Sequence, residues 1–112
     1  MDAQLRALAE PRRREIIRLV WSQELPAGDI AARFAVTRPA ISQHLTVLKQ
    51  AGLVLERRDG TRRLYSARQA QMAEVLAFLG SFWDERLDAL KQAAEAEERE
   101  VIARDHRTDP DR

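Results

Sequence analysis

The sequence predicts one small, mainly α-helical domain with a single β-hairpin and a long C-terminal helix. Three stretches indicate this fold class. Ile41, Leu45 and Leu48 recur at helical spacing, Asp59-Gly60 separates two strand-like runs, and apolar residues recur every three or four positions from 72 to 90. With 112 residues, 45% of them hydrophobic, the chain is long enough for one core and not for two. We expect a domain over residues 1–94 and a charged tail, frayed in solution, over residues 95–112.

Two short helices begin the chain. Residues 2–9 are expected to be helical, with Leu5 and Leu8 on one side. Pro11 then opens a second helix, to about Ser22, because proline fits the first helical position, where its missing N–H costs nothing. The residues expected to be buried in this second helix are Ile16, Ile17, Leu19, Val20 and Trp21.

Arg12, Arg13 and Arg14 crowd the first turn of the second helix, the end where the helix dipole disfavours cations. Two interpretations are open. The favoured one is three solvated arginines, and the alternative is a phosphate contact at the helix start.

A helix-turn-helix follows. Residues 25–28 are expected to form a connector, and residues 29–34 a compact helix with Ile30, Ala31 and Phe34 facing inward. Ala35-Val36 makes a tight turn into Thr37. Two helices joined by so short a turn form the helix-turn-helix arrangement.

The second helix of this pair, residues 38–51, has clear end signals and two different faces. Thr37 is a good N-cap, Pro39 lies in the first turn, and Gly52 is suited to a left-handed closure. Ile41, Leu45 and Leu48 form a packing stripe. The opposite side carries Arg38, Ser42, Thr46 and Lys49, with Gln43 at its edge.

The chemistry of that outer face favours nucleic acid over a merely polar surface. No acidic residue occurs from Thr37 to Leu55, whereas a solvated helix face more often pairs Glu with Lys. Side chains of these types hydrogen-bond to base edges and phosphates. The base-edge candidates are Arg38, Ser42, Gln43 and Thr46, and the phosphate candidates are Thr37 and Lys49.

Residues 54–66 predict a β-hairpin with strands at 54–58 and 61–66 around Asp59-Gly60. Leu55 and either Leu64 or Tyr65 are expected to pack on the helices. Four cations flank the turn, Arg57, Arg58, Arg62 and Arg63, and a ribbon with a cationic tip beside a helix-turn-helix is a wing that reaches a phosphate backbone or minor groove. An edge hairpin protected by charge is the alternative, but protection would not require a single sign of charge.

The last helix is predicted from about residue 68 to 94, roughly 40 Å at 1.5 Å per residue. Its apolar stripe is longer than the domain needs, so a second copy of the chain is its expected cover, with an intramolecular core as the alternative. The predicted dimer interface consists of Leu5, Leu8, Leu76, Leu79, Phe82, Trp83, Leu87 and Leu90.

Composition excludes several classes. The chain has no cysteine, which excludes disulfides and thiolate metal sites, and it has neither a leader pattern nor an apolar run long enough for a membrane span. A soluble, cytoplasmic protein is expected. No glycine-rich phosphate loop follows a strand and no nucleophile has a plausible base, so an enzyme is not expected.

The net charge of +1 is unevenly distributed. Residues 1–67 carry 12 Lys and Arg against 7 Asp and Glu, and residues 68–112 carry 7 against 11. This asymmetry suggests that an anionic partner, double-stranded DNA, meets the first part.

The order of elements and several motifs resemble the ArsR-type winged helix-turn-helix transcriptional repressors of bacteria. The likeness rests on residues 8–13 with Ile16-Ile17, residues 42–45 with Leu48, residues 51–54 and residues 57–65. The resemblance implies a homodimer built from the first and last helices. It also implies a pseudo-palindromic operator, with two recognition helices in successive major grooves, two wings outside them, and release on binding an effector.

The chain departs from the metal-sensing members of that family, which carry cysteines or a set of Asp and His residues. Its only histidines are His44 and His106, so no metal and no cofactor is expected. Two alternatives stay open: a winged-helix module that binds another protein, and a regulator with a small apolar inducer near Phe82 and Trp83. The effector and the operator sequence do not follow from the residues.

Overall fold

A computed structural model of the chain describes residues 1–108, except for the side chains of residues 82–84 and 105–108. The chain divides into two units, Met1–Leu76 and Ala77–Arg112. The elements, in chain order, are α1 (Asp2–Ala9), α2 (Pro11–Leu19), β1 (Leu25–Pro26), α3 (Ala27–Ala32), α4 (Arg38–Gln50), β2 (Val54–Asp59), β3 (Arg62–Ala67) and α5 (Gln69–Thr108). This mainly helical fold with a small antiparallel sheet confirms the predicted fold class.

The second helix ends earlier than predicted. Pro11 opens α2 as expected, but the helix stops at Leu19 instead of Ser22 because the chain turns at Val20. Val20 is fully buried, and its carbonyl accepts the Ala67 N–H at 3.0 Å. The turn leaves Trp21 39% exposed, so the prediction that Trp21 is buried was wrong.

Two of the clustered arginines bind the end of α1. Arg13 Nε donates to the Ala7 carbonyl at 2.7 Å, and Arg14 Nη1 donates to the Leu8 carbonyl at 2.7 Å. The last carbonyls of a helix lack intrahelical partners and carry the negative end of the dipole. A guanidinium there donates hydrogen bonds to these carbonyls, and its positive charge interacts favourably with the dipole. The favoured interpretation, solvated arginines, was therefore wrong for Arg13, which is half-buried and joins α2 to α1, whereas Arg14 makes its contact from an exposed position.

The segment after α2 adds a third strand that the sequence did not predict. Residues 25–28 were expected to be a connector, but β1 pairs antiparallel with β3, with Leu25 opposite Tyr65 and Pro26 opposite Leu64. Pro26 is tolerated because it lies in an edge strand, where no N–H is needed. The following helix, α3, begins at Ala27 rather than Asp29 and ends before Phe34.

The predicted start of α4 is confirmed. Thr37 is the N-cap, and its Oγ1 accepts the Ala40 N–H at 3.3 Å. Pro39 lies in the first turn, as expected. The helix runs to Gln50, one residue short of the predicted end, with Ala51 as its C-cap.

The end of α4 is closed by a Schellman turn. Gly52 adopts a φ of +75°, and the Leu53 N–H donates back to the Leu48 carbonyl at 2.9 Å. Leu48 and Leu53 are both fully buried, which supplies the hydrophobic contact that accompanies this motif. Gln4 of α1 adds a hydrogen bond from its side-chain amide to the Ala51 carbonyl at 3.0 Å.

The hairpin forms with a shifted turn. Asp59 is opposite Arg62, so the two turn residues are Gly60, with φ +64°, and Thr61 rather than Asp59-Gly60. The sheet order is β1-β3-β2. Of the two candidates for packing on the helices, Leu64 and Tyr65, Leu64 is buried. Leu55 is 52% exposed, so the prediction that Leu55 packs on the helices was wrong.

One core joins these elements within the first unit. Ile41, Leu45 and Leu48 of α4 are essentially inaccessible, as their spacing predicted. Among the described side chains, the buried apolar residues are Ala7, Ile16, Ile17, Val20, Ile30, Ile41, Leu45, Leu48, Ala51, Leu53, Val54, Leu64 and Val75.

The last helix is longer than predicted. It continues through Thr108 instead of ending near 94, so residues 95–108 of the expected frayed tail are helical. Alanine, glutamate and arginine dominate this part, and all three favour helix. Glu100 and Arg104 add an i,i+4 ion pair at 2.9 Å.

The arginine contacts with α1 predict a specific stability loss. Replacing Arg13 by Met keeps much of the aliphatic stem and removes the charged hydrogen bond to Ala7, so the free energy of unfolding should fall by about 1–2 kcal/mol. Urea denaturation measures it. Arg18→Met on the same helix is the control, because the exposed Arg18 side chain makes no hydrogen bond or ion pair within the described residues, and it should cost less than about 0.5 kcal/mol. Equal losses in the two variants would contradict the capping role.

Candidate nucleic-acid interface

The outer face of α4 is exposed and uncharged except at its ends. Arg38 begins the helix and Lys49 lies in its last turn. The exposed side chains between them include Ser42, Gln43, Thr46 and Val47. Gln50, directly after Lys49, is exposed as well. The Thr46 hydroxyl donates to the Ser42 carbonyl at 2.9 Å, which fixes its rotamer. A rigid, capped helix with short polar side chains on its open face has the dimensions that a DNA major groove accepts.

A groove separates α4 from the hairpin, and it collects most of the predicted DNA-binding residues. One part lies between Arg38 and Ser42 of α4 and Arg62 and Arg63 of β3. The adjoining part lies between Thr46 and Lys49 of α4 and the same Arg63. The structure thus brings six of the ten predicted residues around one groove: Arg38, Ser42, Thr46, Lys49, Arg62 and Arg63.

The other four predicted residues lie outside that groove lining. Thr37 serves as the N-cap, and Gln43 lines a shallow depression on the neighbouring side of α4. Arg57 binds Glu24 through two hydrogen bonds, at 2.8 and 3.0 Å, which lower the pKa of the Glu24 carboxyl. Arg58 is exposed and directly opposite Arg63 in the hairpin, so the two side chains share a face.

Two of the groove cations already have an acidic partner. Glu56 of β2 accepts a hydrogen bond from Lys49 Nζ at 2.8 Å, and its other oxygen lies 3.5 Å from Arg63 Nε. Lys49 and Arg63 are therefore paired with an acid. The sequence had suggested that both were free to bind phosphate. The sequence contained Glu56 immediately after the acid-free stretch, but only the hairpin register places it beside α4.

Tyr65 and Val47 were not predicted as site residues. Tyr65 was treated as a candidate for packing on the helices, yet it lines both parts of the groove. Burial and the nearby Glu56 carboxylate raise its pKa, so its hydroxyl remains a donor at neutral pH. Val47 is 36% exposed on the recognition face, beside Gln43 and Thr46. Its position on the helical projection between Gln43 and Gln50 was the signal that could have identified it.

His44 is on the packed side of α4, as predicted. Its Nδ1 is 3.5 Å from Arg13 Nη1, so the arginine that binds α1 also reaches the recognition helix. Burial, and secondly the positive charge of Arg13, lower the pKa of His44 below its ordinary value. The imidazole is therefore neutral in the folded protein at neutral pH.

The described residues offer neither a metal site nor a membrane-spanning helix. Among them, no group of three or more His, Cys, Asp and Glu side chains is arranged to hold a metal ion. Nor does any described helix combine the length and apolarity that crossing a membrane requires. The suggested inducer position near Phe82 and Trp83 lies outside the described side chains.

Of the eight predicted interface residues, six have described side chains. Leu5 and Leu8 are half-buried in α1, and Leu76 is 64% exposed. In the second unit, Leu87 and Leu90 are 55% and 60% exposed. Leu79 is half-buried, and the side chains of Phe82 and Trp83 are outside the description.

Comparison with known proteins gives one consistent family. Residues 10–55 match the family described as bacterial regulatory protein, arsR family. The chain is 38% identical over 96 residues to the HTH-type transcriptional regulator Rv2034 of Mycobacterium tuberculosis, covering 86% of this chain and 90% of that one. It is 33% identical to the transcriptional repressor SdpR of Bacillus subtilis, covering 73% of this chain and 91% of the relative.

A solved structure gives the same result. The crystal structure of a "possible transcriptional regulator for arsenical resistance" superposes with a TM-score of 0.71 at 43% sequence identity. The match covers 80% of this chain and 94% of that one.

The environment of His44 predicts a pH dependence of stability. Because the folded pKa of His44 is lowered, the unfolded chain binds a proton more readily, and stability rises with pH through this range. The contribution is fully present above the unfolded pKa of about 6.5 and declines as the pH falls below it. Urea denaturation from pH 8 to pH 5.5 should therefore show a decline for the unmodified protein and a flatter profile for His44→Gln. An unchanged slope in His44→Gln would refute the assignment.

Proposed function

The chain belongs to the ArsR family of bacterial regulatory proteins, and on this basis we propose that it represses transcription in the cytoplasm as a homodimer bound to a two-fold symmetric operator. Membership makes it a DNA-binding transcriptional regulator rather than an enzyme. The observation that supports the proposal best is the groove between α4 and the hairpin, which gathers Arg38, Ser42, Thr46 and the arginines of β3 on one surface. Repression is favoured over activation because the relative named a transcriptional repressor is 33% identical over 73% of this chain, whereas the one named a transcriptional activator is 29% identical over 67%.

In this proposal α4 lies in the major groove of DNA. Arg38, Ser42, Gln43 and Thr46 contact base edges, and Thr37 and Lys49 contact phosphates. The 13 residues of α4 span about 20 Å, enough for several consecutive base pairs. The exposed methyl groups of Val47 are suited to the C5-methyl group of thymine, the one apolar feature of the major-groove edge.

The hairpin acts as the wing. Within the described residues, the structure shows no direct ion pair for the wing arginines Arg58 and Arg62. Arg57 is paired with Glu24 and Arg63 with Glu56, and in the complex these two arginines leave their carboxylates and bind DNA phosphates instead. Cations near the turn at Gly60 extend the contact to the phosphate backbone beside the major groove. Such contacts strengthen binding to every DNA sequence.

Separating base-reading from phosphate-binding residues tests these roles. Arg62→Ala should weaken binding to a duplex selected by the protein from a random pool and to a scrambled duplex alike. It should also lower the slope of log affinity against log salt concentration by about 1. Gln43→Ala should weaken binding to the selected duplex, by about 1–3 kcal/mol, and leave the scrambled duplex nearly unchanged. Fluorescence anisotropy over a salt series measures both, and identical behaviour of the two variants would refute the assignment.

The proposed dimer uses α1 and α5 of two copies. Leu87 and Leu90 of α5 are more than half exposed in the single chain, and Leu76 is still more exposed. Exposed large apolar side chains that repeat along one helix mark an interaction surface. A second copy of the chain is the proposed cover. A two-fold symmetric operator requires two recognition helices, and a homodimer supplies them.

Charge at the proposed interface should disrupt the dimer. The double variant Leu87→Glu/Leu90→Glu should sediment as a monomer in analytical ultracentrifugation and should lose most affinity for the selected duplex. Leu55→Glu is a matched control, because Leu55 is 52% exposed but lies on the hairpin. It should remain a dimer. A monomeric unmodified protein, or a double variant that remains dimeric, would contradict this interface.

A further inference from the structure

Glu56 occupies a distinctive place in the groove between α4 and the hairpin. Among the residues that line the two described parts of this groove, Glu56 is the acidic one. Its side chain is only 12% exposed. One carboxylate oxygen accepts from Lys49 Nζ at 2.8 Å, and the other lies 3.5 Å from Arg63 Nε. A single acid therefore engages one cation of the recognition helix and one of the wing.

The carboxylate is charged under all conditions in which the protein would meet DNA. The hydrogen bond from Lys49 lowers the pKa of Glu56, and the positive charges of Lys49, Arg63 and Arg58 act in the same direction. A carboxylate held in this state repels phosphate groups that approach the groove. It also occupies the donors that those phosphates would bind.

We propose that Glu56 limits the affinity of this groove for DNA: its carboxylate is an internal counter-ion that DNA phosphates must displace from Lys49 and Arg63. The inference rests on the proposed function of this groove as the DNA-binding surface. It adds a role for an acid where only cations and polar residues were expected.

The physical consequence differs between DNA sequences. Binding to arbitrary DNA is almost entirely electrostatic, so a complex that gains no base contacts has little energy with which to displace Glu56. In the operator complex, base contacts by α4 hold the helix deep in the major groove and bring phosphates close enough to compete for Lys49 and Arg63. Glu56 therefore costs the operator complex the full energy of displacing it, whereas arbitrary DNA leaves Glu56 in place and forgoes only weaker phosphate contacts with Lys49 and Arg63.

The test is Glu56→Gln, which keeps the size of the side chain and removes its charge. Affinities are measured by anisotropy on the selected and scrambled duplexes from 0.05 to 0.5 M salt, with thermal melting to verify folding. For the scrambled duplex the salt slope should steepen by about 0.9, which corresponds to binding roughly five- to ten-fold tighter at 0.1 M salt. The selected duplex should gain at least as much, because its complex no longer has to displace the carboxylate, so the ratio of the two affinities should not fall.

Glu100→Gln is the control for net charge. Glu100 also forms an ion pair, with Arg104 at 2.9 Å, but it lies on the part of α5 that belongs to the second unit. It should leave both affinities unchanged. If it tightened the scrambled duplex as much as Glu56→Gln, the effect would be one of overall charge and the inference would be wrong.

A double-mutant cycle with Lys49→Met provides a second, independent readout. If Glu56 neutralises Lys49, removing Lys49 should weaken scrambled-duplex binding little in the original background and several-fold more in the Glu56→Gln background. Additive effects would overturn the inference.

The remaining outcomes are also decisive. Unchanged or weaker binding of Glu56→Gln to the scrambled duplex, or a smaller gain on the selected duplex than on the scrambled one, would overturn the counter-ion role while leaving the DNA-binding function intact. Failure of the unmodified protein to bind either duplex at low salt would instead overturn the proposed function itself.

Discussion

The arrangement of recognition helix and hairpin depends on how α4 ends. Gly52 adopts a left-handed conformation, and the Leu53 N–H returns to the Leu48 carbonyl, so the chain leaves the helix in one fixed direction. The Leu53 carbonyl then accepts the Arg68 N–H at 2.9 Å, which fixes the start of the last helix against the same turn. A side chain at residue 52 would be strained at this φ and would meet Arg68 Nη1 at 3.4 Å. This single turn therefore sets the groove between α4 and β2.

Burial on one side of α4 leaves the opposite side open for the proposed DNA contact. Ile41, Leu45 and Leu48 hold the helix against the core, while Arg13 connects its His44 to the end of α1. The helix is thus held at its start, its packed face and its end, and its open face keeps one orientation. Rigid presentation reduces the entropy lost on binding, which benefits a surface that must distinguish one DNA sequence from many others.

Local signals in the sequence predicted local features well. The N-cap Thr37, the closing Gly52 and the two faces of α4 were confirmed because each depends on residues within one or two helical turns. Features that depend on distant partners were missed. Examples are the pairing of Leu25 with Tyr65, the exposure of Trp21 and the contact of Glu56 with Lys49. No periodicity or spacing in the sequence encodes those contacts, because each arises only when elements distant in sequence have packed together.

The central claim is that two copies of α4 and its wing bind one symmetric DNA site, and footprinting of the protein's own selected DNA tests it most directly. A duplex pool with a random central region would be enriched by repeated binding, and the winning sequence probed by hydroxyl-radical cleavage. The account predicts an inverted repeat with two protected major-groove segments, related by two-fold symmetry and about one helical turn, roughly 10 base pairs, apart. Failure to enrich any sequence, or uniform protection without symmetry, would contradict it.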